Sequence, residues 1–375
     1  MPRVFVILTS FNHGKYLREA IDSVLNQTFA DFELIVWDDA SSDNSWDIIA
    51  SYTDPRIKAF RNDEQKRGIW GINKSITEVA TGEYIAIHHS DDVWELDKLE
   101  KQVAFLDSHP EMGAVFSDVA AIGEAGAPLA DAGHFYFNIF KQPNRTRHEW
   151  LRHFFLHGNA LCHPSVLIRK RCYSDCGLYR FGLAQLPDFD MWVRLCLKYD
   201  IHVLSDKLVK FRVRNNEANA SGSRPDSRIR HRFEYYKLLQ NYRLLSTADD
   251  LIKVFPSAQA YFRGEDTDID FALAMVAVKE HPFHFAQLFG LDLLFEAISD
   301  QDRAAHIKRL YGFDRKDFIA LTGQCDVFAE ETVAERDRQI AERDRQIEMI
   351  VNSRSWKLTR PLRFIVRVIQ RGARR

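Results

Sequence analysis

The first hundred residues alternate between short apolar runs and amphipathic stretches. Val4–Leu8 is a continuous apolar run of strand length, and Tyr16 to Leu25 then sets Leu17, Ala20, Ile21, Val24 and Leu25 at helical spacing. Phe32–Trp37 is a second strand that stops at Asp38-Asp39. Asp43 caps a helix to about Ser51, Ile57–Phe60 is a third strand, and Ile69–Ala80 is a further helix. The run from Gly82 through Ile87 reads as a buried strand and ends at Asp91-Asp92-Val93-Trp94. A helix from Leu96 to Leu106 and a strand at Ala114–Phe116 follow. Strands alternating with helices of this size predict βαβ units, an α/β fold and a mostly parallel, right-handed central sheet.

From Gly123 to His157 the pattern weakens, as loops over a site would make it. Pro187 to Leu197 is an amphipathic helix with Asp188 and Asp190 at its start, and Ile201–Leu204 and Lys207–Phe211 read as strands. The polar stretch Asn215–Ser227 marks a boundary. The expected organisation is therefore a domain over 1–225, a helical region over 226–328 with no catalytic pattern, a charged helix over 329–352 and a basic tail over 353–375. The charged helix holds two heptads, Glu335–Ala341 and Glu342–Glu348, with a thin apolar seam at Val333, Ile340 and Ile347. It is either a solvated spacer or a short coiled coil joining a homodimer through 333–351.

Composition adds limits. The chain is 46% hydrophobic and 12% aromatic, which fits a folded protein with a sizeable core; its net charge of −2 says nothing about partners, and because no stretch outside the C-terminal tail reads as basic, no nucleic-acid partner is expected. Five cysteines without a CxxC pair read as reduced thiols of a cytosolic protein. The five-residue apolar run at the start is too short for a signal peptide, and no window reaches transmembrane length.

The most informative residues are Asp91 and Asp92. Two adjacent carboxylates at the carboxyl end of a strand sit where α/β folds bind ligands, and hard oxygen donors there suit Mg2+ or Mn2+ held with phosphates. A solvated turn at a helix start is the other reading of the pair. The commonest nucleotide fingerprints, GxGxxG and GxxxxGK[ST], are missing, so nucleotide recognition would rest on side chains at strand ends.

Five segments in order resemble family 2 glycosyltransferases of the GT-A fold, a Rossmann-like architecture. They are Val6 to Asn12, Ile21 to Thr28, Phe32 to Asp43, Gly82 to Trp94 and Pro187 to Arg194, so that the likeness covers residues 1 to about 221. The resemblance implies that Thr9 and Asp39 hold the nucleotide base, with Phe11, Asn12, Asp38, Arg67 and Asn73 beside the donor. It implies that Asp91 and Asp92 bind a divalent cation, Mn2+ or Mg2+, on the donor diphosphate, and that Asp188 is the general base. A base opposite the leaving group means single displacement with inversion. Two positions depart from the pattern. His89 stands where an Asp is usual and is either a ligand or a spectator. Arg214 replaces a His that completes the metal shell; it cannot ligate a metal but can pair with the diphosphate.

The tail from Ser353 carries eight Lys or Arg and no acid. Arg363, Arg367, Arg371 and Arg374 share one helical face and Leu362, Ile365, Val366 and Ile369 the other, the pattern of a helix in an anionic membrane interface. It also resembles a tail of bacterial surface-polysaccharide glycosyltransferases. Together these features lead to an expected enzyme: an inverting hexosyl- or deoxyhexosyltransferase, peripheral on the inner face of the cell membrane. It would move a sugar from a UDP- or dTDP-sugar donor to a lipid-linked glycan acceptor in surface-polysaccharide (O-antigen) synthesis. The alternatives are a nucleotidylyltransferase, which would need a glycine-rich loop after the first strand, and a catalytically silent nucleotide-binding or scaffolding subunit.

Overall fold

The structure is a computed structural model that describes residues 1–131, 133–219, 221–353 and 356. The chain divides into a compact unit, Met1–Asp314, and a second unit that begins at Arg315.

In the first unit β1 (Val4–Ser10), α1 (Gly14–Leu25), β2 (Phe32–Asp38), α2 (Ser45–Ala50), β3 (Ile57–Arg61), α3 (Gly68–Lys74) and β4 (Tyr84–His89) follow the alternation of the sequence. Val4 to Leu8 are at most 1% exposed, because helices cover both faces of this strand and leave no face for a polar residue. β1 pairs in parallel with β2 and β4, and β2 with β3. The helix expected to run to Ala80 instead passes from α3 into a π-helical turn, Ser75–Val79.

β5 (Val93–Trp94), α4 (Lys98–Ser108), β6 (Met112–Ile122), α5 (Phe135–Asn138), α6 (Arg147–His157), β7 (Leu167–Arg169), α7 (Lys170–Cys176), α8 (Pro187–Cys196) and β8 (Asp200–Arg212) complete the sheet and its cover. The order is β3-β2-β1-β4-β7-β6-β8-β5. β7 is antiparallel to β4 and β6, and β5 is antiparallel to β8, while β6 and β8 are parallel. The sheet is therefore mixed, with its parallel part concentrated in the first four strands. Helices still separate the later strands, but β7 runs against both of its neighbours and β5 against β8, and those reversals make the sheet mixed. The two short strands expected within 201–211 are one continuous strand, β8.

The helices α9 (Pro225–Leu239), α10 (Ala248–Val254), α11 (Ile269–Glu280), α12 (His284–Ser299) and α13 (Gln301–Tyr311) belong to the same compact unit as the sheet. α11 is buried from Phe271 to Val278. It packs so closely on α12 that a Cβ at Gly290 would lie 2.7 Å from the carbonyl oxygen of Ala274.

The second unit contains α14 (Arg315–Thr322) and α15 (Glu330–Asn352). The heptad seam of α15 is open to solvent, with Val333, Ile340 and Ile347 between 48% and 53% exposed. Apart from Ser353 and Trp356, the expected membrane-associating tail lies outside the described residues. Among the described residues no helix is long and apolar enough to cross a membrane.

Candidate active site

The carboxyl ends of β1, β2 and β4 meet on one edge of the parallel layer. Register sets Thr9 beside Trp37 on one side and beside His89 on the other, so the three share a face of the sheet. Trp37 stacks on Phe60 with ring centroids 4.5 Å apart and meets Trp70 edge-on at 5.3 Å. Its indole N–H donates to Ser75 Oγ at 2.6 Å, which fixes the ring. A cleft of about 650 Å³ opens here, lined by Trp37, Phe60, Trp70, Lys66 and the segment 61–64. Gly71 permits the approach of α3, since a Cβ there would lie 3.1 Å from Trp37 Cγ and 3.3 Å from Thr9 Cγ2.

The loops after these strands are tied to each other. Asn12, in the left-handed region at φ 52°, accepts at its carboxamide oxygen from the N–H of Ser42 at 2.8 Å and of Asp43 at 3.4 Å. Asp39 accepts from Asn62 Nδ2 at 2.7 Å, Lys66 N–H at 2.8 Å and Arg67 N–H at 2.7 Å. Asp38 accepts from Ser41 N–H and pairs with Arg61, but its buried Oδ1 has no partner. Phe11 is 39% exposed at the mouth of these loops, and the Arg67 side chain is also exposed.

After β4 the chain brings His89, Asp91 and Asp92 together, each offering a ligand atom within 4.8 Å of the others. Asp92 is buried. Its Oδ1 accepts from Arg212 N–H at 2.7 Å, and its Oδ2 has no hydrogen-bond partner. Burial, reinforced by the neighbouring charge of Asp91, pushes the Asp92 carboxyl up to about 6. His89 Nδ1 lies 3.5 Å from Asp92 Oδ2, and its Nε2 is hydrogen-bonded to His163 Nδ1 at 3.2 Å. Burial works against the charged ring of His89, but Asp92, Asp91 and Asp188 outweigh it and raise its pKa. An orphaned buried carboxylate oxygen facing an imidazole nitrogen is a donor set that suits a divalent cation with oxygen and nitrogen ligands.

Opposite this cluster, Arg214 NH1 lies 2.8 Å from His13 Nε2 and 3.9 Å from Asp91 Oδ2. Because a guanidinium only donates, His13 accepts at Nε2 and carries its proton on Nδ1, which faces Ser90 Oγ at 2.8 Å. Burial lowers the pKa of His13, which agrees with a neutral ring.

Asp188 lies in the first turn of α8, and its Oδ2 accepts from Asn159 Nδ2 at 3.0 Å. Burial raises its carboxyl above the ordinary carboxylate range, against the N–H of Phe189 and the charge of His89. Asp190 turns the other way, fully buried, and binds Arg194, Arg180 and Asn241 at 2.8–2.9 Å.

A family model described as Glycosyl transferase family 2 matches residues 5–169, the span that holds β1 to β7 and the acidic cluster. Those residues are a family 2 glycosyltransferase domain. An uncharacterized glycosyltransferase of Methanocaldococcus jannaschii is 29% identical over 223 residues, 58% of this chain and 72% of that protein. The Escherichia coli enzyme WfgD, a UDP-Glc:alpha-D-GlcNAc-diphosphoundecaprenol beta-1,3-glucosyltransferase, is 39% identical over 103 residues, covering 28% of this chain and 40% of its own length. The crystal structure of S. aureus TarS 1-349 in complex with UDP-GlcNAc shares the fold, with TM-score 0.54 at 19% identity over 90% of this chain and 92% of that one.

In this glycosyltransferase domain the sequence-expected residues separate by environment. Thr9, Phe11, Asp38, Asp39, Arg67, His89, Asp91, Asp92 and Arg214 lie on the β-strand edge and its loops. Asn73 does not face the cleft with a free amide: it is 5% exposed and binds both backbone polar groups of Tyr179, at 2.8 and 3.1 Å. Sequence reasoning missed His13, one residue beyond a motif it had used. It also missed Trp37, read only as the last residue of a strand, and His163, whose Cys-His-Pro setting carries no signal.

Proposed function

We propose that the chain is an inverting glycosyltransferase that moves a sugar from a UDP- or dTDP-sugar to a hydroxyl of a glycan acceptor. The observation that carries this reading is the position of Asp188, a partly exposed carboxyl with raised proton affinity. It is close enough to His89 for each to shift the other's proton affinity.

The base of the nucleotide enters the cleft beside Trp37 and Phe60, where an aromatic face suits stacking. A base that hydrogen-bonds Asp39 competes with the three donors from the 62–67 loop, so donor binding and that loop are coupled. The diphosphate lies between Arg214 and the Asp91-Asp92-His89 cluster. A divalent cation held there would neutralise charge developing on the leaving nucleoside diphosphate. Arg214, kept in place by His13, contributes a second positive charge to the same end. Asp188 in its ionised form takes the proton of the acceptor hydroxyl as that oxygen attacks the anomeric carbon. Attack from the side opposite the diphosphate inverts the centre.

The name of the E. coli relative supports a lipid-linked acceptor, and the resemblance of the tail supports a role in surface-polysaccharide synthesis. The tail composition supports peripheral attachment to an anionic cytoplasmic membrane face, and the exposed seam of α15 supports a homodimer. The domain reading 1–225, 226–328, 329–352 and 353–375 remains part of this proposal; residues 226–314 share the compact unit of the first region, and 315–328 belong to the second unit. A screen of nucleotide sugars for diphosphate release, with and without Mn2+, tests the reading. Acceptor-dependent release from a uridine or thymidine donor is the expected result, and no release from any donor would contradict it.

A further inference from the structure

The segment after residue 225 carries no catalytic pattern in sequence, yet one of its side chains reaches the start of the catalytic helix. Glu234, on α9, is 1% exposed. Its carboxylate accepts from the backbone N–H groups of Ala184, Gln185 and Leu186, each at 2.8 Å. Burying a carboxylate is costly unless hydrogen bonds satisfy it, so three such bonds to consecutive residues make a defined tether.

The tethered segment leads straight into α8. Leu186 is the N-cap of that helix, Pro187 is its first residue and Asp188 its second. Proline has no N–H to offer, so the donors just ahead of this helix are those of the segment Glu234 holds. A carboxylate at that point also complements the positive end of the helix dipole. The same region grips the helix again, where Asn241 Nδ2 donates to Asp190 Oδ1 at 2.8 Å. Asp190 is locked further by Arg180 and Arg194, while the Asp188 carboxylate accepts from Asn159. The direction in which Asp188 points is therefore set by the first turn of α8 and by the three residues leading into it.

We infer that Glu234 is a positioning residue for transfer: α9 holds the 184–186 segment so that the Asp188 carboxylate meets the acceptor hydroxyl. The inference rests on Asp188 being the base. It gives a residue of the helices after 225 a part in the chemistry, exerted through the 184–186 segment and Asp188.

The test uses Glu234→Gln in the full chain, with Glu234→Asp as a second variant that keeps the charge and withdraws it by one methylene. A glutamine is isosteric, but its amide group turns an N–H toward backbone donors and breaks part of the tether. Three quantities are measured: kcat and KM for transfer, UDP affinity by calorimetry, and amide hydrogen exchange at 184–186. A displacement of about 1 Å at a reacting group costs up to roughly a hundredfold in rate. The expected result is a kcat lowered about tenfold to a hundredfold in both variants, faster exchange at 184–186, and UDP affinity within about twofold of the parent. Unchanged kcat despite faster exchange at 184–186 would overturn the inference, as would an equal loss of UDP affinity. Asp188→Asn separates the two levels. Full transfer by that variant removes the base assignment itself, whereas its inactivity beside a fully active Glu234→Gln removes only the tether.

Discussion

Asp92→Asn should make the cation-free protein more stable at neutral pH. The Asp92 carboxyl is pushed from an ordinary 3.8 up to about 6, chiefly by burial. The folded state thus holds this proton more tightly than the unfolded chain does. Its effect on stability is absent below about pH 4, grows as a penalty between pH 4 and 6, and is complete above that. The penalty at pH 7 is on the order of 3 kcal/mol. Asparagine removes the buried charge, keeps an acceptor for Arg212 N–H, and turns a donor toward His89 Nδ1. Weakening the Arg212 bond from charged to neutral returns about 1 kcal/mol, which leaves a net gain of roughly 2 kcal/mol. Urea unfolding in EDTA at pH 7 and pH 4 measures it, and the gap between variant and parent should close at the lower pH. Mn2+ at about a hundred times its dissociation constant should return roughly 2.7 kcal/mol to the parent and little to the variant. A variant less stable than the parent at pH 7, or a gap that does not change with pH, would refute the reasoning.

Three further outcomes rest on the same geometry. Arg214→Ala should weaken UDP binding by about 1.5–3 kcal/mol, the range for a hydrogen bond to a charged group, while leaving uridine affinity nearly unchanged; equal losses for both ligands in calorimetry would show that Arg214 does not meet the diphosphate. Transfer should fall as pH drops through the raised pKa of Asp188, because only its ionised form accepts the proton, and a rate profile still flat below the ordinary carboxylate range would speak against that role. Truncation before Ser353 should release the protein from anionic vesicles in a sedimentation assay while kcat on a soluble acceptor is kept; retained sedimentation would contradict the anchor.

Much of the parallel layer is legible in the sequence because its strands are buried on both faces. Val4–Leu8 and Tyr84–Ile87 have no polar residue to spare, and each run ends where the chain meets solvent and the site. The return strands β5 and β7 are only two and three residues long, too short to show a period, so the antiparallel pairings they make could not be read. The acidic pair was legible from its place after β4. The roles that Asn12, Asp39 and Asn73 take in bracing loops were not, since a motif reports residue type and not which atoms are already bonded. Partners brought from far along the chain, such as His163 beside His89 and Glu234 beside Leu186, depend on tertiary packing that no local spacing encodes.

The central claim is that Asp188 removes the acceptor proton in a sugar transfer. Its most direct test is Asp188→Asn assayed for transfer from the donor that the nucleotide-sugar screen selects, together with UDP affinity by calorimetry. Asparagine keeps an oxygen for Asn159 and the size of the side chain but cannot take a proton. Transfer lowered by about two to four orders of magnitude, with UDP affinity nearly unchanged, is the predicted result. Transfer at the parental rate would contradict the account.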